Sequence, residues 1–427
     1  MRALLVAVAL VVASGGPARA RHGGRHCLTP AGPGVSELTV WLEALRTGDP
    51  RLCTLAVDRL EEGSWDGNVQ HLAGELAPPS ARGAVQDPPA LALLGDALGD
   101  ARGCVRRAAA VWLGASAAPE ALSRLVTGLR STNPLIREAS AHGLGVHGEG
   151  VGREPLLAAL RDGVPAVAIA AAWALGRAED PRNTAALGAA LQHPDAAVRR
   201  SAAEALGDSG DAGAVQSLLT RQKDPDAAAR AAVASALGRL EDARGVPALT
   251  ALATDAVPGV RTAALAALAP LQDARALEVA RAALTDGVAE VRQAAVRVLA
   301  SLEDPRTLPA LSTALGDGEP QIRAEAARAL GTLEEPRAIP ALSRAARDAF
   351  PEVRVAAAEA LRAYPRDDAA ARQLTSLVKD PDRSVRRAAA EALVNLESAE
   401  ARAALRAALG DSDTEVRRAA ARGLGRN

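Results

Sequence analysis

The sequence predicts an all-α protein: an elongated solenoid, or α-α superhelix, in which about eleven helical hairpins of 31 residues stack side by side. Three observations carry the prediction. Alanine makes up about a quarter of the 427 residues while Phe, Trp and Tyr together make 1%, a composition that favours helices and deprives sheets of their usual aromatics. A ten-residue segment recurs at a constant period, and one column of it is leucine in every copy. The length agrees, because a single core rarely grows past roughly 250 to 300 residues before a chain splits or repeats.

Met1 to Ala20 has the layout of an export signal: basic Arg2, an apolar run from Ala3 to Ala13, and small residues ending in Ala18-Arg19-Ala20, with the cut expected after Ala20. That run is well short of the roughly 20 residues that span a bilayer, and no later stretch is long enough. The mature chain is therefore expected to have no integral membrane segment and to work in the periplasm or outside the cell.

Residues 21–87 read as an N-terminal segment. Val35 to Arg46 predicts a first helix, and Leu52 to Leu60 keeps apolar residues at helical spacing; together they form a degenerate capping repeat. Gly63 to Asp87, with Trp65 and the proline pairs nearby, predicts an irregular connection holding a short helix around Asn68 to Leu76. The three cysteines, Cys27, Cys53 and Cys104, all lie at this end. In an oxidising compartment one pair would staple the segment to the first repeats; the pairing stays open, as does the plainer reading of three small buried apolar groups.

The array occupies residues 88–427. The segment from Val198 to Gly207, VRRSAAEALG, returns from Val105, Ile136, Val167, Ala229, Val260, Val291, Ile322, Val353, Val385 and Val416, with starts 31 residues apart except for one step of 32 before Val385. Apolar residues at offsets 0, 4, 5 and 8 share one face of a helix, B, with leucine at offset 8 from Leu113 to Leu424 and alanine usually at 4 and 5, so that neighbours approach closely. Glycine follows that leucine in seven copies, as at Gly176 and Gly331, where a left-handed helix end is expected. Five residues before the start stands Asp in nine copies, among them Asp162, Asp224, Asp317 and Asp411, placed to cap helix B or to close the turn into it.

Helix A reads from segments such as Asp304 to Leu311, DPRTLPAL, and Glu335 to Leu342, EPRAIPAL. Each has an acidic first residue and Pro in the first turn, and Pro247, Pro309 and Pro340 predict a bend slightly further in. Two helices of about ten residues cannot bury their apolar faces alone, so stacking is obligatory.

The pattern D-x4-V-R-x2-A-A-x2-L-G, with D-P-R-A-x-P-A-L between copies, resembles the HEAT repeats of the phycobilisome-lyase-like subgroup over about Pro88 to Asn427. The resemblance implies a HEAT-like solenoid. For function it implies several things in parallel, since such repeats serve in bilin lyases, in a metal-dependent hydroxylase and in many binding scaffolds. The hydroxylase members hold iron with His-Glu dipeptides, whereas the six histidines here are followed by Gly, Cys, Leu, Gly, Gly and Pro. Neither a metal nor another cofactor is expected. No HExxH, GxSxG or phosphate-binding glycine loop is present, and no catalytic residue is assigned.

Charge points the same way. Fifty Lys plus Arg against 51 Asp plus Glu give a net charge of −1, which nominates no nucleic acid. Arginine follows the start position in ten of eleven copies, from Arg106 to Arg417, with Ala168 the exception. The nine Asp six positions earlier predict a ladder of ion pairs along the turns.

Recognition then falls to columns that vary, offsets 2 and 6 of helix B, opposite the packed face. Ile169 and Trp173, with Val111 and His142 on adjacent repeats, predict an apolar and aromatic patch flanked by Arg107, Glu138 and Arg200 that contacts a partner peptide or protein domain. The plainer reading is that Trp173 fills a groove against its own neighbours. The function expected is an exported, non-catalytic protein-binding scaffold. An enzyme or enzyme accessory of the lyase or hydroxylase branch and a self-assembling envelope protein are the alternatives.

Overall fold

The computed structural model describes residues 35–49, 52–53, 85–148, 150–394, 396 and 398–425; these form helices and turns, with no strand among them. The export signal from Met1 to Ala20, Cys27, Trp65 and the short helix around Asn68 to Leu76 lie outside the described residues, as does most of the stretch from Leu52 to Leu60. The chain divides into two compact units, one ending at Arg221 and one beginning at Gln222.

The first unit contains α1 (Val35–Arg46), α2 (Pro88–Ala97), α3 (Gly103–Gly114), α4 (Pro119–Gly128), α5 (Pro134–His147), α6 (Arg153–Ala159), α7 (Pro165–Arg177), α8 (Thr184–Ala190), α9 (Ala196–Asp208) and α10 (Ala214–Leu219). From α2 to α9 these are the A and B helices of repeats one to four, and α10 is helix A of the fifth. In the second unit α11 (Ala227–Arg239) is helix B of the fifth repeat. Six hairpins follow: α12 (Val246–Leu252) with α13 (Pro258–Leu268), α14 (Leu277–Ala283) with α15 (Ala289–Ser301), α16 (Leu308–Ala314) with α17 (Pro320–Thr332), α18 (Ile339–Ala345) with α19 (Pro351–Leu361), α20 (Asp368–Leu377) with α21 (Arg383–Leu393), and α22 (Ala399–Ala408) with α23 (Thr414–Leu424). Within each unit a B helix packs on its own A helix and on the next B helix.

The leucine column forms the core. Leu113, Leu206, Leu299 and Leu330 are fully buried, each worth roughly 1.5–3 kcal/mol of transfer free energy. Adjacent B helices come together over alanine and glycine. The expectation of left-handed ends at Gly176 and Gly331 is corrected: both lie inside helices, and a β-carbon there would stand 2.8 Å from Ala205 Cα and 2.7 Å from Ala360 Cα respectively. These glycines are therefore required by helix contact. The left-handed residue comes three positions later, with Glu179, Glu303 and Glu334 at φ of 46°, 47° and 51°, and it is glycine in two other repeats, Gly148 at 77° and Gly210 at 64°.

The bend in helix A is realised as a change of helix type. The 3₁₀ turns Pro305–Thr307 and Pro336–Ala338 lead into α16 and α18, whose first turns carry Pro309 and Pro340. Asp304 starts one such turn by accepting a 2.8 Å hydrogen bond from the Arg306 N–H.

The turn from A to B is built by the Asp and Arg columns. Asp162, Asp255, Asp317 and Asp411 each accept from the backbone N–H two residues on, at 2.8–2.9 Å, so this Asp closes the turn. The cap of helix B falls two residues later, where Asp195, Asp226, Asp382 and Asp413 accept from first-turn N–H groups.

At the N-terminal end α1 packs on α2 and α3. A disulfide joins Cys53 to Cys104, with their Cα atoms 5.7 Å apart. Arg46 Nε donates to Asp100 Oδ2 at 3.0 Å, so the capping helix supplies the arginine that an earlier repeat would have supplied.

Candidate functional site

The arginine column is occupied by the fold. Arg137 holds Asp162 through two hydrogen bonds of 2.7 and 2.9 Å, and Arg230 with Asp255, Arg292 with Asp317, Arg354 with Asp380 and Arg386 with Asp411 repeat the geometry. Each pair joins one repeat to the next, and the arginine's remaining nitrogen donates to carbonyls of its own turn, as Arg230 does to Asp224 and Pro225. The hydrogen bond from Arg230 holds the Asp255 carboxyl below the usual carboxylate range, and Arg386 does the same for Asp411. A guanidinium engaged on three sides is not displayed for a polyanion.

The variable columns of helix B differ between the units. In the second unit, charges at these columns pair across repeats, Arg328 with Glu359 at 3.0 Å and Arg422 with Glu391 at 3.5 Å, and Arg297 pairs with Glu325, one position beyond the column, at 2.8 Å. In the first unit the aromatic cluster forms there. Trp173 on α7 is half-buried and leans over α5, its ring 4.5 Å from the His142 ring, with 30° between the planes. It lies on Gly145, whose missing side chain makes the space: a β-carbon there would be 2.4 Å from Trp173 Cζ3. Arg177, one turn further along α7, places its guanidinium 5.2 Å from the Trp173 ring centroid and donates to the Gly145 carbonyl at 3.2 Å.

The structure thus brings Trp173 and His142 together. Ile169 is half-buried one turn before Trp173 on α7, and its carbonyl accepts from Ser201 Oγ at 3.3 Å. Glu138 is half-buried on α5, while Arg107 and Arg200 are exposed on α3 and α9, Arg200 with Glu204 3.7 Å away. Val111 does not belong to the surface. It is fully buried, because α1, α2, α4 and α5 all pack against α3 and cover every residue from Ala108 to Gly114. Sequence reasoning missed Arg177 and Gly145. The signal was available: Arg177 stands four residues after Trp173, and Gly145 belongs to the glycine column.

Among the described residues no group of three or more His, Cys, Asp or Glu is gathered as a metal site, and no helix is long and apolar enough to cross a membrane.

Paired antiparallel helices stacked at a 31-residue period, joined by turn-to-turn ion pairs and without strands among the described residues, define an α-solenoid repeat protein. The particular family follows from comparison. The family model for HEAT repeats matches residues 153–226, 217–294, 280–362 and 342–425, and the PBS lyase HEAT-like repeat matches 105–131, so the chain belongs to the HEAT-repeat family. No curated protein matches it.

Among solved structures, importin beta is similar at 16% identity, over 86% of this chain and 60% of that one, with a TM-score of 0.60. Kap95p, in the structure that describes its binding to RanGDP, is similar at 16% identity, over 93% of this chain and 65% of that one, with a TM-score of 0.57. The chain spans less than two thirds of either neighbour's own length, and these likenesses establish the α-α superhelix fold. The CpcE and CpcF complex of phycocyanin lyase from Nostoc shares 27% identity over 52% of this chain and 91% of that one, but its TM-score is 0.33.

Proposed function

We propose that this protein is an exported, non-catalytic scaffold that captures a protein or peptide partner on the B-helix face of its first unit, centred on Trp173. A HEAT-repeat solenoid with importin-like structural neighbours fits a protein-binding role. The observation that carries the reading is the half-exposed aromatic cluster of Trp173, His142 and Arg177, on a face where the second unit places self-paired charges. A ring held from below by Gly145 and from the side by a histidine presents a rigid apolar surface, which binds at low entropic cost. The basic and acidic residues Arg107, Arg200 and Glu138 would rim it, while Val111, being buried, has no part. The Cys53–Cys104 disulfide supports work in an oxidising compartment, as the export signal predicts.

The test separates recognition from stability. Ile169→Glu adds a charge beside Trp173 without removing the ring, and Trp173→Ala removes it. Both should reduce capture of a partner from the cell envelope by about tenfold or more, with circular dichroism unchanged. Capture equal to that of the unaltered protein in both variants would reject the site. Metal analysis and an absorption spectrum of purified protein distinguish the enzyme alternative: bound iron or a chromophore would favour it.

A further inference from the structure

The A-helix face of the second unit changes character along the chain. In repeats six to eight the outward residues on and just after α12, α14 and α16 include Thr250, Thr254, Thr285 and Thr313, and the single cation on these helices, Arg281, is paired with Glu278 at 3.2 Å. From repeat nine onward the same face is cationic. Arg344 and Arg347 on and after α18, Arg372 and Lys379 on and after α20, and Arg402 and Arg406 on α22 are all exposed. In a chain whose other arginines are mostly in ion pairs, none of these six forms one among the described residues; Arg347 alone has a side-chain partner, Gln373 Oε1 at 3.4 Å. The acidic residues of these helices, Asp368 and Glu400, stand in the first turns.

A second, independent feature coincides with the stripe. The two most exposed large apolar side chains among the described residues lie at its two edges: Phe350 at 45% just after Arg347, and Leu409 at 43% at the end of α22. Phe350 also occupies the N-cap position of α19 and makes no capping bond, as Val164, Val257 and Val288 make none at the same position of their repeats, whereas Asp382 and Asp413 cap the next two B helices. One face of the Phe350 ring lies 5.4 Å from the Arg323 guanidinium while 45% of the residue stays exposed, and a phenylalanine where an aspartate would cap the helix forgoes local stability.

We propose that this face is a second docking site, which takes an extended acidic polypeptide segment carrying apolar side chains. Helices α18, α20 and α22 pack in sequence, and at about 10 Å per helix the stripe crosses roughly 20 Å, the length of six or seven extended residues. Five of the six cations are arginine, whose planar donor fork pairs with carboxylates. The apolar contacts at both ends call for a ligand with side chains of its own, which a glycan or nucleic acid does not offer. They are separate anchors and do not form the continuous apolar face that lies in a membrane interface. Surface, unit and partner chemistry all differ from the Trp173 patch.

The test uses the full chain and a fluorescent peptide of about ten residues, rich in glutamate with a leucine near each end. Saturable binding that weakens as salt rises is expected, with a loss of about tenfold or more in the double variant Arg372→Glu and Lys379→Glu, and none in Trp173→Ala. Phe350→Asp should weaken binding while raising the melting temperature by about 1–3 °C, a combination that a purely structural role for Phe350 does not give. Absence of saturable binding, binding unaffected by these variants, or tighter binding to heparin or to anionic lipid vesicles than to the peptide would overturn the proposal.

Discussion

Arg323 grips Asp348 of the following repeat with two parallel hydrogen bonds, Nε to Oδ2 at 2.7 Å and Nη2 to Oδ1 at 2.8 Å, while Nη1 donates back to the Asp317 carbonyl at 2.8 Å. Both side chains are largely buried, with 12% and 14% of their surface exposed. Removing either partner leaves a shielded charge without its counter-ion. Arg323→Ala or Asp348→Ala should each cost about 2–4 kcal/mol in denaturant unfolding, and Arg323→Lys should recover only part of the loss because an ammonium cannot fork onto both oxygens. A double-mutant cycle should give a coupling of about 1–3 kcal/mol, and additive effects would contradict the ladder as a unit of stability.

The same ladder fixes the response to acid. The hydrogen bonds from Arg230, Arg323 and Arg386 hold the carboxyls of Asp255, Asp348 and Asp411 below the ordinary range. On the other turn Asp180, Asp242 and Asp273, each held by the arginine two residues on, are lowered to about 2. A lowered folded pKa means that the unfolded chain binds more protons in the window between the two values, so stability rises with pH there. The melting temperature should be nearly flat from about pH 8 to 5 and fall progressively from about pH 4 towards 2. A fall centred near pH 6 would point instead to histidine.

Glycine substitutions should divide by contact. Gly331→Ala places a methyl group 2.7 Å from the Ala360 backbone and should cost about 1–3 kcal/mol even though alanine favours the helix. Gly259→Ala, at the start of α13 with nothing within 4 Å of the added carbon, should be neutral or stabilise by up to about 1 kcal/mol. Thermal melts of the two variants check both signs.

The contrast shows what the sequence made legible. The 31-residue period placed every hairpin of the array, and the Asp and Arg columns paired as their spacing implied, because one period repeats one environment. Even the exceptions are consistent: where the Asp column holds Ser131, Arg106 makes only backbone contacts at Asp100 and Ala101, and where it holds His193 the arginine is replaced by Ala168. What the period could not reveal lies between elements. Gly331 and a left-handed glycine look alike until Ala360 is seen against it. Val111 occupies a surface column, but α3 is covered by a capping helix that is outside the repeat. The aromatic site was half legible, since Trp173 and His142 stood in the variable columns while Gly145, which makes room for the ring, stood in a structural one.

The single tyrosine offers a local probe. Tyr364 is buried and donates to the Leu330 carbonyl at 3.0 Å, and burial pushes its hydroxyl up to about 12, with Glu334 and Glu335 adding to the shift. Because the folded pKa is raised, the neutral form stabilises the fold below about pH 10 and that contribution is lost as pH rises through about 12. Tyrosinate absorbance should appear near pH 12 in the folded protein and near pH 10 in denaturant.

Reduction should act on one unit only. The Cys53–Cys104 bond closes a 51-residue separation and restrains the unfolded first unit by about 4 kcal/mol. A reductant should lower the thermal transition that reports Trp41 and Trp112, both buried in that unit, and leave the one that reports Tyr364 in place. Equal shifts in both signals would count against this assignment.

Under the proposed function the Trp173 face meets a protein. A photo-crosslinking residue placed at Ile169 in the full chain, activated in the native envelope, tests this most directly. A discrete adduct with one protein or a few is expected, abolished when Trp173→Ala is combined with it, and none from a control position on the self-paired B face such as Arg328. Crosslinking confined to the chain itself at position 169, or identical adducts from both positions, would contradict it.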